Sequence, residues 1–505
     1  MDVKSTLTPG SPSTSTLPIN VTLTLTIQLT LFCRRLIKLF DERKVLEHSH
    51  RLTGMENIFK QSPLAKSEML DRDCFEKNEE LKRRTVENLV SLSKQKYDSE
   101  SWEKLRTMLY PPRRLDVNVV IDDSTLREGL QMAGLTTPTA EDMAEIGRLL
   151  FEIGVERIEV MTYTDVDKEA IRIMADNGLG DILAGWSRAD KRDIDAVLEL
   201  GLKQIGISHP VSYYHFAKWP GEHVHSLTMR VVEAVEYAVD HGLRVFVHGE
   251  DSTRADWDFE KKFVNAVAEA GAEVYRICDT VGVGCSLPDH PLPNGIPAKI
   301  RALKKETKIK SLEIHVHDDL GNAVENTMAA IRAASGLYEN FYASTTFLGI
   351  GERSGNAETE KIMLNLYIHH GVEKWNLSLL RETANFISTA LNYHLPTNKA
   401  IVGDSAFAHE SGIHLHGIKI APAIYEVFPP ELVGQTRKII IGRRTGKHGI
   451  MMKLKELVNH EVDEEDPRLK RLVELVRNTL LRVDRKYYLT EEEFKKLAAE
   501  AGFKT

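Results

Sequence analysis

Cysteine is scarce: the 505 residues hold only Cys33, Cys74, Cys278 and Cys285. These make neither a disulfide framework nor a C-x-x-C knuckle, which points away from a small secreted scaffold and toward a reducing, cytoplasmic setting. No run reaches the ~18 apolar residues that a membrane span needs. Positive charge is not in excess either, since 66 Lys and Arg face 74 Asp and Glu for a net charge of −8. A nucleic-acid surface needs clustered Lys and Arg on a basic footprint, and this balance argues against one. What is present is an ordinary globular composition, 42% hydrophobic and 28% charged. At roughly 150 residues per domain, the length suits about three units.

Residues 1–54 differ from the rest. Ser, Thr and Pro dominate 11–18, and Thr then alternates with apolar residues through 21–27. Alternation is a strand period, but a lone strand without a partner cannot bury itself. The segment has no clear n-region, apolar stretch and cleavage site of a secretory signal. Its Ser/Thr content with Arg34 and Arg35 leaves a transit peptide open. The expectation is a disordered extension, or an over-long start upstream of Met55, and N-terminal sequencing of native protein separates the readings. Residues 55–116 read as a helical preface, with Val86, Leu89, Val90 and Leu92 at helical spacing and a stop at Pro111-Pro112.

From Asn118 short β-branched runs alternate with longer amphipathic ones. Strands are expected near 119–122, 157–161, 182–185, 204–208, 244–247, 274–278, 312–317 and 342–347. Helical patterns lie between them, as at 140–151, 226–239, 256–270, 323–334 and 358–370. Eight β-then-α units over 117–375 predict an α/β fold, a (β/α)8 TIM barrel, whereas a doubly wound open sheet more often has five or six strands. A barrel puts its active site where strands end and βα loops begin. Residues 376–505 are expected to form a small, mostly helical C-terminal region.

At the end of the first run, Asp123-Ser-Thr-Leu-Arg-Glu-Gly129 delivers a guanidinium and a carboxylate side by side. Alone it serves equally well as a loop ion pair. The seventh run, Glu313-Ile-His-Val-His-Asp-Asp319, puts Glu313, His315 and His317 on one strand face and Ile314 and Val316 on the other. Two imidazoles on one face, with a carboxylate from another strand end, suit Mg²⁺, Mn²⁺ or an open Zn²⁺ site. Gly349-Ile-Gly-Glu-Arg-Ser-Gly-Asn356 permits close backbone approach, and Asn356 offers a further oxygen ligand.

These runs, with Asn398-Lys-Ala-Ile-Val-Gly403 and Ala406-Phe-Ala-His-Glu-Ser-Gly-Ile-His414, resemble the 2-isopropylmalate, homocitrate and citramalate synthases. The resemblance covers about 118–450. It implies a metal-dependent barrel acyltransferase of amino-acid biosynthesis, condensing acetyl-CoA with a 2-oxo acid and hydrolysing the thioester. It further implies that Glu128, His315 and His317 hold the cation with Asn356 beside it. Arg127 would stabilise the developing alkoxide, and Thr280 would grip the substrate carboxylate. His414, Tyr425 and Glu313 match residues with catalytic roles; for Tyr425, plain packing is the alternative. A homodimer in which the His414 segment covers the partner's barrel mouth is also implied. A lyase of the same superfamily, cleaving a hydroxyacyl-CoA or 4-hydroxy-2-oxo acid, would share the metal and the arginine but not the region from Asn398 to Tyr425.

The substrate markers conflict. Glu128 after the arginine resembles homocitrate synthases, whereas the motifs around Asn398 and Ala406 resemble isopropylmalate synthases. His248-Gly-Glu-Asp-Ser-Thr-Arg-Ala-Asp256 resembles Re-type citrate synthases. Phe246 stands where homocitrate synthases carry the arginine for the far carboxylate of 2-oxoglutarate. By alternation His248 faces the pocket, either meeting a distal carboxylate or serving as wall. The 55 residues after Ile450 are too few for the leucine-sensing domain of isopropylmalate synthases, so no leucine feedback through such a domain is expected.

Overall fold

The computed structural model describes residues 72–94, 99–458, 462–482 and 488–504. The extension expected over 1–54 and the start of the helical preface lie outside them. The chain divides into two units at Val86, within the helix Arg72–Lys94. Of the first unit only helical residues 72–86 are described, and the barrel lies wholly in the second, Glu87–Thr505.

Eight parallel strands close into a barrel in sequence order: β1 (Asn118–Asp123), β2 (Arg157–Val160), β3 (Leu183–Arg188), β4 (Gln204–Pro210), β5 (Arg244–Glu250), β6 (Val274–Asp279), β7 (Ser311–Val316) and β8 (Asn340–Thr345). The expected (β/α)8 barrel is therefore the observed fold. Closure runs from Asn118 opposite Asn340 to Asp123 opposite Thr345. It uses Asn340 and Phe341, which lie before the expected eighth run, and the Asn118 amide donates to the Asn340 side chain at 2.8 Å. Helices Asp165–Asp176, Lys191–Glu199 and Ile296–Glu306, not singled out in the sequence, complete the outer layer.

Local chemistry sets the helix ends. The Thr139 hydroxyl accepts the Asp142 N–H while the Asp142 carboxylate accepts the Thr139 N–H, and Gly154 ends the helix Ala140–Ile153 at φ 101°. Such a cap contributes about 1 kcal/mol, and the left-handed stop favours glycine. Met143, Ile146, Leu150 and Ile153 form its buried face, meeting outward-facing strand residues such as Ile121 and Ile158. Before the barrel, Ser99–Leu109 docks on Thr359–His370 through Trp102 Nε1 donating to the Tyr367 hydroxyl at 2.8 Å. After it, Leu380–Ala390 follows, then the two-residue strands Ala408–His409 and Lys438–Ile439, paired in parallel. Helices Lys447–Val458, Pro467–Leu480 and Glu491–Glu500 share a second core of Leu454, Leu469, Leu472, Val476 and Phe494. No described helix is long and apolar enough to cross a membrane.

Glu360 is fully buried at the start of Thr359–His370, where its Oε2 accepts the Leu348 N–H at 3.0 Å. Burial pushes its carboxyl up to about 7, with Lys399 pulling the other way. A raised folded-state pKa favours the proton in the native state, so this stability is present below the ordinary carboxylate range and is lost as pH rises through about 7. Glu360→Gln is therefore expected to flatten the fall in Tm between pH 5 and 8, gaining about 1–3 kcal/mol at the alkaline end. Thermal melts across that range check it, and an unchanged slope would refute it.

Candidate active site

Alternation along the strands decides what enters the barrel. Odd-numbered Val119 and Ile121 of β1, and Tyr275 and Ile277 of β6, join the apolar layer under the helices. On the other parity Asp122 and Arg276 point inward, as do Arg157 and Glu159 of β2 and Glu313 of β7. All five are buried. The barrel interior is thus a ladder of charges. Arg157 Nη2 lies 2.7 Å from Asp122 and 2.6 Å from Glu313, and Arg276 Nη2 lies 2.5 Å from Asp122 and 3.1 Å from Glu159. Burial raises the Asp122 carboxyl, whereas for Glu313 the two guanidinium groups outweigh burial and hold it down.

Above this ladder a cavity of about 330 Å³ opens among the strand ends and βα loops. Arg127 and Glu128, carried by the turn after β1, are buried beside it. Arg127 donates from Nε to Glu159 Oε2 at 2.7 Å and from Nη1 to Glu128 Oε2, so the ladder fixes its orientation. His315 and His317 enter from β7 and the residue beyond it. Among the described residues, Glu128, His315 and His317 each bring a potential ligand atom within 4.8 Å of the other two. Asn356 joins them, its Nδ2 lying 3.3 Å from His315 Nε2.

This donor set fits a divalent cation. Burial holds both imidazoles below their ordinary pKa, with His317 adding to the effect on His315 and Glu128 opposing it at His317. Each ring is therefore neutral and keeps a lone pair, the form in which imidazole ligates a metal. His315 Nδ1 is 3.1 Å from the Ser344 hydroxyl, which orients the ring. Asn356 Oδ1 and His317 Nδ1 are buried without a hydrogen-bond partner. The glycine loop delivers Asn356: Gly355 has φ 81°, and a Cβ on Gly351 would lie 2.1 Å from Asn356 Oδ1. One carboxylate, two imidazoles and an amide oxygen leave room for oxygen ligands from outside the chain.

Thr280 and His248 also line the cavity. The Thr280 hydroxyl accepts the Asp251 N–H at 2.8 Å, leaving its own proton free to donate outward. Glu313 shares the inward face of His315 yet lies outside the lining, two residues deeper and committed to Arg157 and Arg276. His414 and Tyr425 form an exposed stacked pair, ring centroids 4.3 Å apart, on the C-terminal region and outside the lining. Four further residues of the site escape sequence reasoning. Glu159 orients Arg127, Ser344 orients His315, and Lys218 and Trp186 line the cavity. Glu159 was detectable, because Arg157-Ile-Glu-Val160 carries charge at alternate positions of a strand otherwise expected to be apolar.

The HMGL-like family model matches residues 118–387, and the model for the homocitrate synthase post-HMGL domain-like family matches 401–480. A 2-isopropylmalate synthase of Methanocaldococcus jannaschii is 37% identical over 343 residues, 67% of this chain and 63% of that enzyme. Homocitrate synthase 1 of a Nostoc species is 34% identical over 76% of this chain and 98% of its own length. A putative (R)-citramalate synthase of Methanopyrus kandleri is 35% identical over 76% of this chain and 72% of its own. The matched segments begin and end with the barrel and the region after it, so the chain belongs to the HMGL-like family, alongside the 2-isopropylmalate, homocitrate and citramalate synthases.

Proposed function

We propose that this chain is an acyltransferase that condenses acetyl-CoA with a 2-oxo acid and hydrolyses the resulting thioester, releasing CoA and a 2-hydroxy di- or tricarboxylate. The observation that carries the reading is the convergence of Glu128, His315 and His317 beside Arg127 in one buried cavity. The names of the relatives support it.

Glu128, His315 and His317 hold Mg²⁺, Mn²⁺ or Zn²⁺, with Asn356 alongside. The cation, when bound, supplies Lewis-acid polarisation of the 2-oxo carbonyl. Thr280 donates to the substrate carboxylate. Arg127, held by Glu159 and Glu128, donates to the oxygen that becomes an alkoxide as the new C–C bond forms, stabilising charge where it develops. The acetyl methyl must lose a proton for that bond to form, and the alkoxide takes one up. His414 is the base in this reading, with Tyr425 stacked on its ring. Both stand outside the cavity of their own chain, which supports a homodimer in which each pair serves the partner's barrel mouth. Water then cleaves the thioester and CoA leaves as the free thiol.

The test is CoA thiol release from acetyl-CoA with a divalent cation and a panel of 2-oxo acids. Release that depends on one of the acids is expected. Aldol cleavage of a candidate product, with no release from any acid, would overturn the condensing reading in favour of the lyase.

A further inference from the structure

The metal trio and Arg127 engage the end of a 2-oxo acid that all such acids share, so the rest of the cavity decides which acid fits. None of the residues lining it is an aliphatic or Phe side chain; Trp186 and Cys278 are its apolar members, and the others are polar or charged. A branched hydrocarbon group gains about 0.8 kcal/mol per CH₂ only when it leaves water for apolar surface. Here it would instead strip water from polar groups and give them no partner.

The β4–β5 side of the cavity has built donors. His248 is 2% exposed, its buried Nε2 lies 3.5 Å from Glu159 Oε1 without a hydrogen bond, and its ring crosses above Gly206 so closely that a Cβ there would lie 2.4 Å from it. Burial and the nearby Arg276 hold the imidazole neutral, which leaves it one N–H to give. Lys218 reaches the cavity from the loop after β4. Its Nζ lies 2.8 Å from Glu250 Oε1, which is also 2.9 Å from His215 Nδ1. That pair positions the ammonium and uses one of its three donors. The neighbouring Trp219 anchors the loop by stacking on His209, rings 6° from parallel and 5.7 Å apart. At the next inward position below His248, β5 carries the buried Phe246, packed 3.7 Å from the Arg157 guanidinium, rather than a cation that would hold the far end of a longer diacid.

We infer that the 2-oxo acid condensed here is a short dicarboxylate of the oxaloacetate type, whose distal carboxylate is bound by Lys218 and His248 on the β4–β5 side of the cavity. This rests on the condensing reading above and adds the substrate class to it. Glu250 and His215 act as positioning residues for Lys218.

The experiment compares oxaloacetate, 2-oxoglutarate, 2-oxoisovalerate and pyruvate by CoA release and, independently of turnover, by calorimetric binding to the Mg²⁺-loaded protein. Oxaloacetate is expected to give the highest kcat/KM and to bind at least ~10-fold more tightly than 2-oxoisovalerate. Losing one charge-assisted contact, Lys218→Ala should raise KM for oxaloacetate by ~10–100-fold. The KM for acetyl-CoA and the Mn²⁺ affinity should stay unchanged, and Lys218→Arg should restore part of the loss. Higher kcat/KM or tighter binding with any of the other three acids, or an unchanged KM in Lys218→Ala, overturns the inference while leaving the condensing reading intact. Absence of release from every acid overturns that reading, and the calorimetric ranking then still decides the chemistry of the pocket.

Discussion

His317→Ala is expected to weaken Mn²⁺ binding by at least ~100-fold and to abolish CoA release while the protein stays folded. Replacing groups that only orient a metal ligand typically costs ~10–100-fold in affinity, and removing the ligand itself removes more. His317 lies past the end of β7, half in the loop, with its Nε2 3.8 Å from Glu128 Oε1, and its loss deletes no core contact comparable to that of Ile314 or Val316. Glu128→Gln should act in the same direction, since a neutral amide replaces a charged ligand of nearly the same shape. It also takes a partner from Arg127 and should therefore depress turnover even at saturating metal. Ser344→Ala, which removes the hydroxyl that bonds to His315 Nδ1, should fall between these variants and the wild type, at ~10-fold in affinity. Mn²⁺ titration followed by electron paramagnetic resonance reads all three. Wild-type affinity in both His317→Ala and Glu128→Gln would mean that the trio is not the metal site.

The barrel was legible because its strands are sequestered under helices on their outer face, which makes each a short β-branched run between longer amphipathic stretches. Period-two reasoning also placed His315 and His317 correctly on the inward face. What alternation cannot supply is depth. Glu313, His315 and His317 share that face, but at about 3.3 Å per residue Glu313 sits ~6.6 Å below His315, among the arginines rather than in the cavity. Which residues pair across the chain was equally invisible, even where, as for Glu159, the residue itself stood out. Glu159 meets Arg127 from a different strand, and Lys218 reaches the cavity from a loop where Trp219 stacks on His209 and Glu250 holds the ammonium. Nor does sequence say which barrel mouth a motif beyond the barrel serves: His414 and Tyr425 are recognisable as residues, yet their stacked pair lies outside the cavity of their own chain.

Arg276→Met is expected to destabilise the barrel by about 3–5 kcal/mol, the cost of leaving a buried charge network without one of its partners. At ~2–4 °C per kcal/mol for a domain of this size, Tm should drop by roughly 10 °C. Arg276 has no exposed surface and lies within 3.1 Å of carboxylate oxygens on Asp122, Glu159 and Glu313. Methionine fills similar space but leaves those three carboxylates to Arg157 and Arg127 alone. The unmatched carboxylates then take up protons at higher pH than in the unfolded chain. The variant's stability should accordingly rise on acidification and fall as pH increases through their raised pKa values. Adding Glu313→Gln removes one unmatched charge and should recover part of the loss, so the two substitutions are non-additive in a double-mutant cycle. The same cycle settles what Glu313 does. Held between Arg157 and Arg276, Glu313→Gln alone should lower Tm while kcat per folded molecule changes little; a large fall in kcat at unchanged Tm would return Glu313 to the catalytic role that its place beside the histidines suggests.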